Sequence, residues 1–311
     1  MRGRMGRIGA GAVAVLGLVT FAAACSSSDD GGSEESSAET TAVEQTTTTV
    51  AAETLDILVS NDDGYDAEGI DAVVEALIAL PDTNVTVVAP AENQSGSGGN
   101  TTPGELTATD EETLSGYPVT AVQGFPADAV NYGLANVVEE PPDLVITGLN
   151  EGQNMGPIID ASGTVGAARA AVAQGIPALA TSQGIDSEPF DYETGVGFVL
   201  DWLEENRDAI LAGEADVVVT NLNIPSCATG EARGLVEVPP AADMAGRDYN
   251  AADCASTEED PADDVGAFNI GFAAGSYLLG YVAIATSYPT IFVIAALTCL
   301  VAFVLLLRSP E

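Results

Sequence analysis

Asp62 and Asp63 stand side by side in Asn61-Asp62-Asp63-Gly64, directly after an apolar run from Leu55 to Ser60. Asn93-Gln94-Ser95-Gly96 follows a second apolar run that ends at Pro90, and Gly148-Leu149-Asn150-Glu151-Gly152 with Asn154 follows a third. One at a time these are turn sequences, because Asx side chains bond nearby backbone N–H groups and Asp-Asp-Gly folds back tightly. Together they supply carboxylates, a hydroxyl and carboxamides, an oxygen-donor set of the kind that suits Mg2+, Mn2+ or Ca2+. A fourth segment, Ser162-Gly163-Thr164-Val165, precedes an alanine-rich helical pattern. Small residues at a helix start leave free N–H groups and the positive dipole end for an anion, although Ser and Thr also act as ordinary caps there. A phosphate ester held between a divalent ion and that helix is the economical reading of both features.

Composition narrows the chemistry further. The chain has 311 residues, with 47 acidic side chains, 8 arginines, no lysine and no histidine, for a formal net charge of −39. Nucleic-acid polymers are excluded as partners, since nothing offers a basic footprint for a phosphate backbone. The lack of histidine excludes Ser-His-Asp hydrolysis, histidine zinc sites and histidine phosphotransfer; the lack of lysine excludes Schiff bases and P-loops. An acidic surface repels anionic substrates and enriches divalent cations, so an enzyme for phosphate esters would lean heavily on its metal.

These loops must be positioned by a scaffold. Strands are predicted at Leu55–Ser60, Asn84–Ala89, Asp143–Thr147, Pro177–Ser182 and Ala215–Asn223, and helices at Ile70–Leu80, Gly163–Gln174 and Gly195–Ala212. Continuous Val/Ile/Leu runs mean strands buried on both faces, hence a mainly parallel sheet. Strands alternating with helices give a doubly wound α/β/α sandwich, in which ligands sit outside the carboxyl ends of the strands. The donor-bearing loops all follow strands, so they should meet on one edge.

The two ends are read separately from the 54–275 body. Residues 1–24 have a basic start (Arg2, Arg4, Arg7), an apolar run from Ile8 to Ala24, and Ala22-Ala23-Ala24 before Cys25. That is an export signal. A cysteine at that point resembles a bacterial lipoprotein box, which makes Cys25 the lipid site; a plain signal peptide is the other reading. Residues 25–53 form an acidic Ser/Thr-rich tether without aromatics, too poor in apolar surface to offset its ordering entropy. Val265 to Leu307 carries no charge, and Thr290–Leu307 is nearly all apolar, ending at Arg308. Eighteen helical residues span about 27 Å, close to a bilayer core, so 276–308 is read as a transmembrane helix or an apolar tail. Cys227 and Cys254 are expected to pair outside the cytoplasm, the alternative being two free thiols; Cys299 lies in the apolar tail.

The order of motifs also resembles a known family. Ile57-Leu58-Val59-Ser60-Asn61-Asp62-Asp63-Gly64 with Gly69-Ile70 is similar to the opening of the SurE-type survival-protein nucleotidases. The likeness continues through Val87-Val88-Ala89-Pro90 with Asn93-Gln94-Ser95-Gly96, Gly124-Phe125-Pro126-Ala127-Asp128 and Pro142-Asp143-Leu144-Val145. It extends over Gly148 to Asn154, Ser162 to Val165 and Asn221-Leu222-Asn223-Ile224-Pro225. The resemblance implies a Rossmann-like fold and a metal-dependent phosphomonoesterase acting on nucleoside monophosphates. It implies Asp62, Asp63, Ser95 and Asn150 as metal ligands for Mn2+ or Mg2+, with the two aspartates also catalytic. Asn61, Asn154, Ser162, Gly163 and Thr164 then face phosphate and substrate. The departures are the export signal, the Gly/Ser-rich loop from Ser95 to Gly104, and the sequence after Gly275, which leaves a homodimer open. The expected protein is a nucleotidase anchored in the cell membrane and facing outward; the alternative is a non-catalytic lipoprotein that binds metal, phosphate or nucleotide.

Overall fold

The computed structural model describes residues 53–185, 190–227, 229–244 and 246–278. The signal 1–24, Cys25, the tether up to residue 52 and the tail beyond Leu278 lie outside the described residues.

Among the described residues the strands are β1 (Leu55–Ser60), β2 (Thr83–Pro90), β3 (Ala108–Glu112), β4 (Pro118–Val122), β5 (Leu144–Glu151), β6 (Ala178–Gln183), β7 (Val219–Ile224), β8 (Leu235–Glu237) and β9 (Ala273–Leu278). The helices are α1 (Glu68–Ile78), α2 (Pro126–Asn136), α3 (Gly163–Ala173), α4 (Tyr192–Leu211) and α5 (Asp264–Asn269). The strands form one sheet in the order β3-β4-β2-β1-β5-β6-β7-β9-β8. From β4 to β7 all neighbours are parallel; β3 runs antiparallel to β4, and β9 antiparallel to β7.

The alternation of side chains explains the layering. Leu55, Ile57 and Val59 of β1 enter the core shared with Ile70, Val73 and Leu77 of α1 and Val199, Trp202 and Leu203 of α4. Leu58 enters the opposite core with Val130 of α2 and Val165, Ala168 and Val172 of α3. A strand apolar on both sides needs a helix on each face, which is the doubly wound arrangement. The chain winds outward from β1 through β2 to β4, then returns to β5 and winds the other way through β6 and β7. The reversal lies between β1 and β5, so the crevice for a ligand opens at their carboxyl ends. Asp62 and Asp63 follow β1, and Asn150 lies at the end of β5.

Several boundaries differ from the sequence reading. The third predicted strand continues through Asn150 and Glu151, which pair with Ser182 and Gln183 after a bulge between Thr147 and Asn150. Asn150 is therefore on a bulged strand, not in a loop. Four strands and two helices fall where no element was expected. β3 is an exposed edge reading Ala-Thr-Asp-Glu-Glu, with no apolar alternation to betray it. β9 is buried through small residues, Ala273-Ala274-Gly275-Ser276, and continues past 275 to Leu278, so the sheet extends three residues into the segment assigned to the tail. α2 starts at Pro126, and Asp128 one turn in accepts from the Phe125 N–H at 2.9 Å. Among the described residues no helix is long and apolar enough to cross a membrane. Of the two readings for the body cysteines, the disulfide is present: Cys227 and Cys254 are bridged with Cα atoms 5.8 Å apart.

Candidate active site

The Asp62–Asp63 pair is built by the end of β1. Asp62 turns inward and is 2 % exposed, whereas Asp63 is half-buried toward the opening. Asn61, itself fully buried, closes the turn by donating its Nδ2 to the Gly64 carbonyl at 2.7 Å. The loop after β2 is seated on the pair, since the Gln94 N–H donates to the Asp62 carbonyl at 2.7 Å. That contact brings Ser95 alongside, and its Oγ donates to Asp63 Oδ1 at 3.2 Å, with Asn93 Nδ2 at 3.3 Å on the same oxygen. The end of β5 arrives from the other side: the Glu151 N–H donates to Asp63 Oδ2 at 3.1 Å. Asn150, buried beside it, donates Nδ2 to the Gly152 carbonyl, leaving its side-chain oxygen as the acceptor.

Two glycines make this convergence sterically possible. A Cβ on Gly69, in the first turn of α1, would lie 1.9 Å from the Leu149 carbonyl oxygen. Only a bare Cα lets β5 close down on α1 there and carry Asn150 and Glu151 to the aspartates. A Cβ on Gly163 would lie 2.7 Å from the Asp62 Cβ and 2.8 Å from its Oδ2. The start of α3 is thus laid directly against the Asp62 carboxylate.

Thr164 answers that carboxylate. Its hydroxyl donates to Asp62 Oδ1 at 2.6 Å, and its backbone N–H also favours the charged form. Ser162 caps α3 by accepting from the Val165 N–H at 3.1 Å. Asn154 donates its Nδ2 to Ser182 Oγ at 2.9 Å and to Thr164 Oγ1 at 3.3 Å. All the expected site residues of the body therefore lie in one connected cluster. The side chains of Asn154, Ser162 and Thr164 are buried and committed to protein partners, so what α3 offers an anion is its main-chain N–H end rather than their hydroxyls and amide.

Electrostatically the pair is under-compensated. Burial, reinforced by the charge of Asp63, pushes the Asp62 carboxyl up to about 6, with the two Thr164 donors opposing. Burial also raises Asp63, against the Glu151 N–H, Ser95 and Asn93. No cationic side chain among the described residues is bonded to either. Arg169 pairs with Asp160 and Arg247 with Asp263, Arg207 donates to the Pro81 and Asp82 carbonyls and to Thr83 Oγ1, and Arg233 donates to the Glu258 and Ile270 carbonyls and lies over the Phe272 ring. Two adjacent carboxylates, both held above the usual carboxylate range by burial and the inner one further by its neighbour's charge, ringed by neutral oxygen donors, fit a hard divalent cation. Among the described residues no group of three or more acidic or cysteine side chains offers a metal site, so the third and fourth donors here would be the neutral Ser95 and Asn150. A recess of about 400 Å³ lined by Asp56, Asn84, Thr86, Glu139 and Glu140 lies at the amino ends of β1 and β2, the opposite end of the sheet.

Other contributors were not legible as site residues. Thr147 of β5 donates to the Thr164 carbonyl at 2.9 Å. Asn221 and Asn223 of β7 hold the Asn154 main chain. Asp264, fully buried, accepts from the Gly156, Ala241 and Val265 N–H groups and so anchors the segment that follows β5. Their common signal is a polar residue in an otherwise apolar element, which marks burial but not its purpose.

Comparison with known proteins agrees with this geometry. The family described as "Survival protein SurE" matches residues 57–249. A 5'-nucleotidase SurE from Brevibacillus brevis is 39% identical over 185 residues, covering 58% of this chain and 70% of the relative. A 5'-nucleotidase SurE from Halobacterium salinarum is 41% identical over 189 residues, with 58% and 70% covered. The crystal structure of the SurE protein from Aquifex aeolicus superposes with a TM-score of 0.61 at 28% identity, over 78% of this chain and 99% of that one. The paired aspartates at the strand-order reversal, the Ser95 loop and the Asn150 strand end closed on them and the family match over residues 57–249 together place this chain in the SurE family.

Proposed function

We propose that the protein hydrolyses nucleoside monophosphates to nucleoside and inorganic phosphate, using a bound divalent cation, Mn2+ or Mg2+. The observation that carries this reading is the buried Asp62–Asp63 pair set against the N-terminus of α3, with no cationic side chain bonded to it among the described residues. The relatives named 5'-nucleotidase support the choice of ester.

Asp62, Asp63, Ser95 and Asn150 would hold the ion, whose chemistry is to withdraw charge from the phosphoryl oxygens and acidify a water. The remaining work falls to the chain. The aspartate pair takes the proton of the attacking water as its oxygen bonds to phosphorus. The ester P–O bond breaks, and the leaving alkoxide takes up the proton that the aspartate pair removed from the water. The N-terminal end of α3, laid against Asp62 at Gly163, would place the positive end of the helix dipole beside the developing phosphoryl charge. The Leu149–Gly69 contact holds the β5 end close, keeping Asn150 in place.

The test is phosphate release by the purified, metal-stripped full chain from a panel of nucleoside monophosphates, with Mn2+, Mg2+ or chelator. Metal-dependent release that falls by at least about 100-fold in Asp63→Asn supports the assignment. Full turnover in that variant, or none with any metal in the folded wild type, overturns it.

We further propose that the chain is exported and anchored by a lipid on Cys25. A Cys25→Ala variant that still takes up a labelled fatty acid in growing cells would remove that part of the reading.

A further inference from the structure

We infer that Asn223 is a positioning residue for this phosphatase site: it clamps the main chain of Asn154, whose amide then aims the Thr164 hydroxyl at Asp62. The inference rests on the reading of Asp62 as part of the metal and catalytic pair.

Asn223 is fully buried on β7. Its Oδ1 accepts from the Asn154 N–H at 2.6 Å and its Nδ2 donates to the Asn154 carbonyl at 3.2 Å. One carboxamide thus reads both groups of a single residue's main chain, which fixes its own orientation. Asn221, two residues earlier on the same strand face, donates to the same carbonyl at 2.8 Å. Leu222 between them joins the opposite core. Burying two carboxamides in a strand is unfavourable unless they are well bonded, and the Asn221 Oδ1 has no partner among the described residues. A valine at either position would pack more cheaply but would make none of the bonds to Asn154.

The consequence runs outward from Asn154. Its Nδ2 carries only hydrogens, so the Thr164 oxygen must accept there, at 3.3 Å. Thr164 has a single hydroxyl proton, and the 2.6 Å approach to the Asp62 carboxylate requires that proton between the two oxygens. Asn223 therefore acts on Asp62 through two intermediates, Asn154 and Thr164, spanning β7, the segment after β5, α3 and the end of β1. Without the clamp the Asn154 amide swings, and the Thr164 proton can rotate away from Asp62.

A double-mutant cycle separates this from a structural role. Wild type, Asn223→Ala, Thr164→Val and the double variant of the full chain are compared in kcat and KM for a nucleoside monophosphate at saturating Mn2+. They are also compared in Mn2+ affinity by calorimetry on the metal-free protein. Asn223→Ala is expected to lower kcat about tenfold with KM within about twofold, and to weaken Mn2+ binding severalfold. In the Thr164→Val background the same change should move neither quantity by more than about twofold, because the relay is already cut. Additive losses, or an Asn223→Ala enzyme with wild-type kcat and Mn2+ affinity, overturn the inference. If Asn223→Ala does not fold, Asn223→Ser, which keeps an acceptor for the Asn154 N–H, enters the same cycle. Should the wild type release no phosphate from any nucleotide, the functional reading falls, and non-additive Mn2+ affinities would still uphold the clamp.

Discussion

Asp62→Asn should make the metal-free protein more stable at neutral pH while removing its activity. Asp62 is 2 % exposed, and its carboxyl is pushed from 3.8 to about 6, chiefly by burial and then by Asp63. The folded state therefore holds this proton more tightly than the unfolded chain does. The associated stability is fully present below about pH 4 and is lost as pH rises through about 6. A displacement of about two units corresponds to about 3 kcal/mol of strain above pH 6. Asparagine is neutral throughout and can still accept from the Thr164 hydroxyl, but it loses its charge at the start of α3, a contribution of about 1 kcal/mol. The net expectation at pH 7.5 is a gain of about 2 kcal/mol, or a shift in the urea midpoint on the order of 1 M. The assay is urea unfolding of the full chain in chelator at pH 7.5 and pH 4.5. The variant should lead at pH 7.5, and its advantage should shrink to about 1 kcal/mol or less at pH 4.5. Saturating Mn2+ should reverse the order, adding about 2.7 kcal/mol to the wild type at 100 times the dissociation constant and little to the variant. A variant less stable than wild type in chelator at pH 7.5, or a gap unchanged by pH, would refute the reasoning.

Three further outcomes are expected. Gly69→Ala places a Cβ 1.9 Å from the Leu149 carbonyl oxygen, so β5 must back away by about 1 Å; steady-state kinetics should show kcat lowered on the order of 10–100-fold, since a displacement of that size at a reacting site is that expensive. With a net charge of −39 on the chain, kcat/KM for a nucleoside monophosphate should rise severalfold between about 10 and 150 mM salt, as the Debye length falls from about 30 to 8 Å; a fall over that range would argue for attraction rather than repulsion. Replacing Cys227 and Cys254 by serine should lower stability by about 3 kcal/mol in chemical unfolding, with KM unchanged, because the bridge is made by neither aspartate loop.

The aspartates, Ser95 and Asn150 were legible because a doubly wound sheet puts its chemistry just past strand ends, and each lies in a short polar run after an apolar one. The direction of Thr164 was not. A Ser-Gly-Thr helix start announces N–H donors, but whether the threonine hydroxyl faces solvent or an aspartate depends on Asn154, ten residues away, and on β7. Asn150 was placed in a loop because Gly148 breaks the apolar run, whereas the bulge lets pairing resume beyond it. β3 and β9 escaped for opposite reasons: one is too polar to alternate and the other too small to register as core.

The site's partners are far apart along the chain. Thr164 meets Asp62 across 102 residues, and Gln153, next to Asn154, is held by donating to the Tyr249 carbonyl at 2.7 Å across 96. During synthesis the aspartates emerge first, and the groups that orient them follow in stages: Ser95, then Asn150 and Thr164, then Asn223, and last Tyr249 and Asp264. Such long-range closure is slow relative to local helix formation. A nascent chain, or one clipped before residue 249, carries Asp62 and Asp63, the proposed catalytic pair, without the full frame that orients them. On the proposed reading, catalytic competence is acquired late, as a property of the finished polypeptide, and proteolytic loss of the C-terminal third would switch it off without touching Asp62 or Asp63.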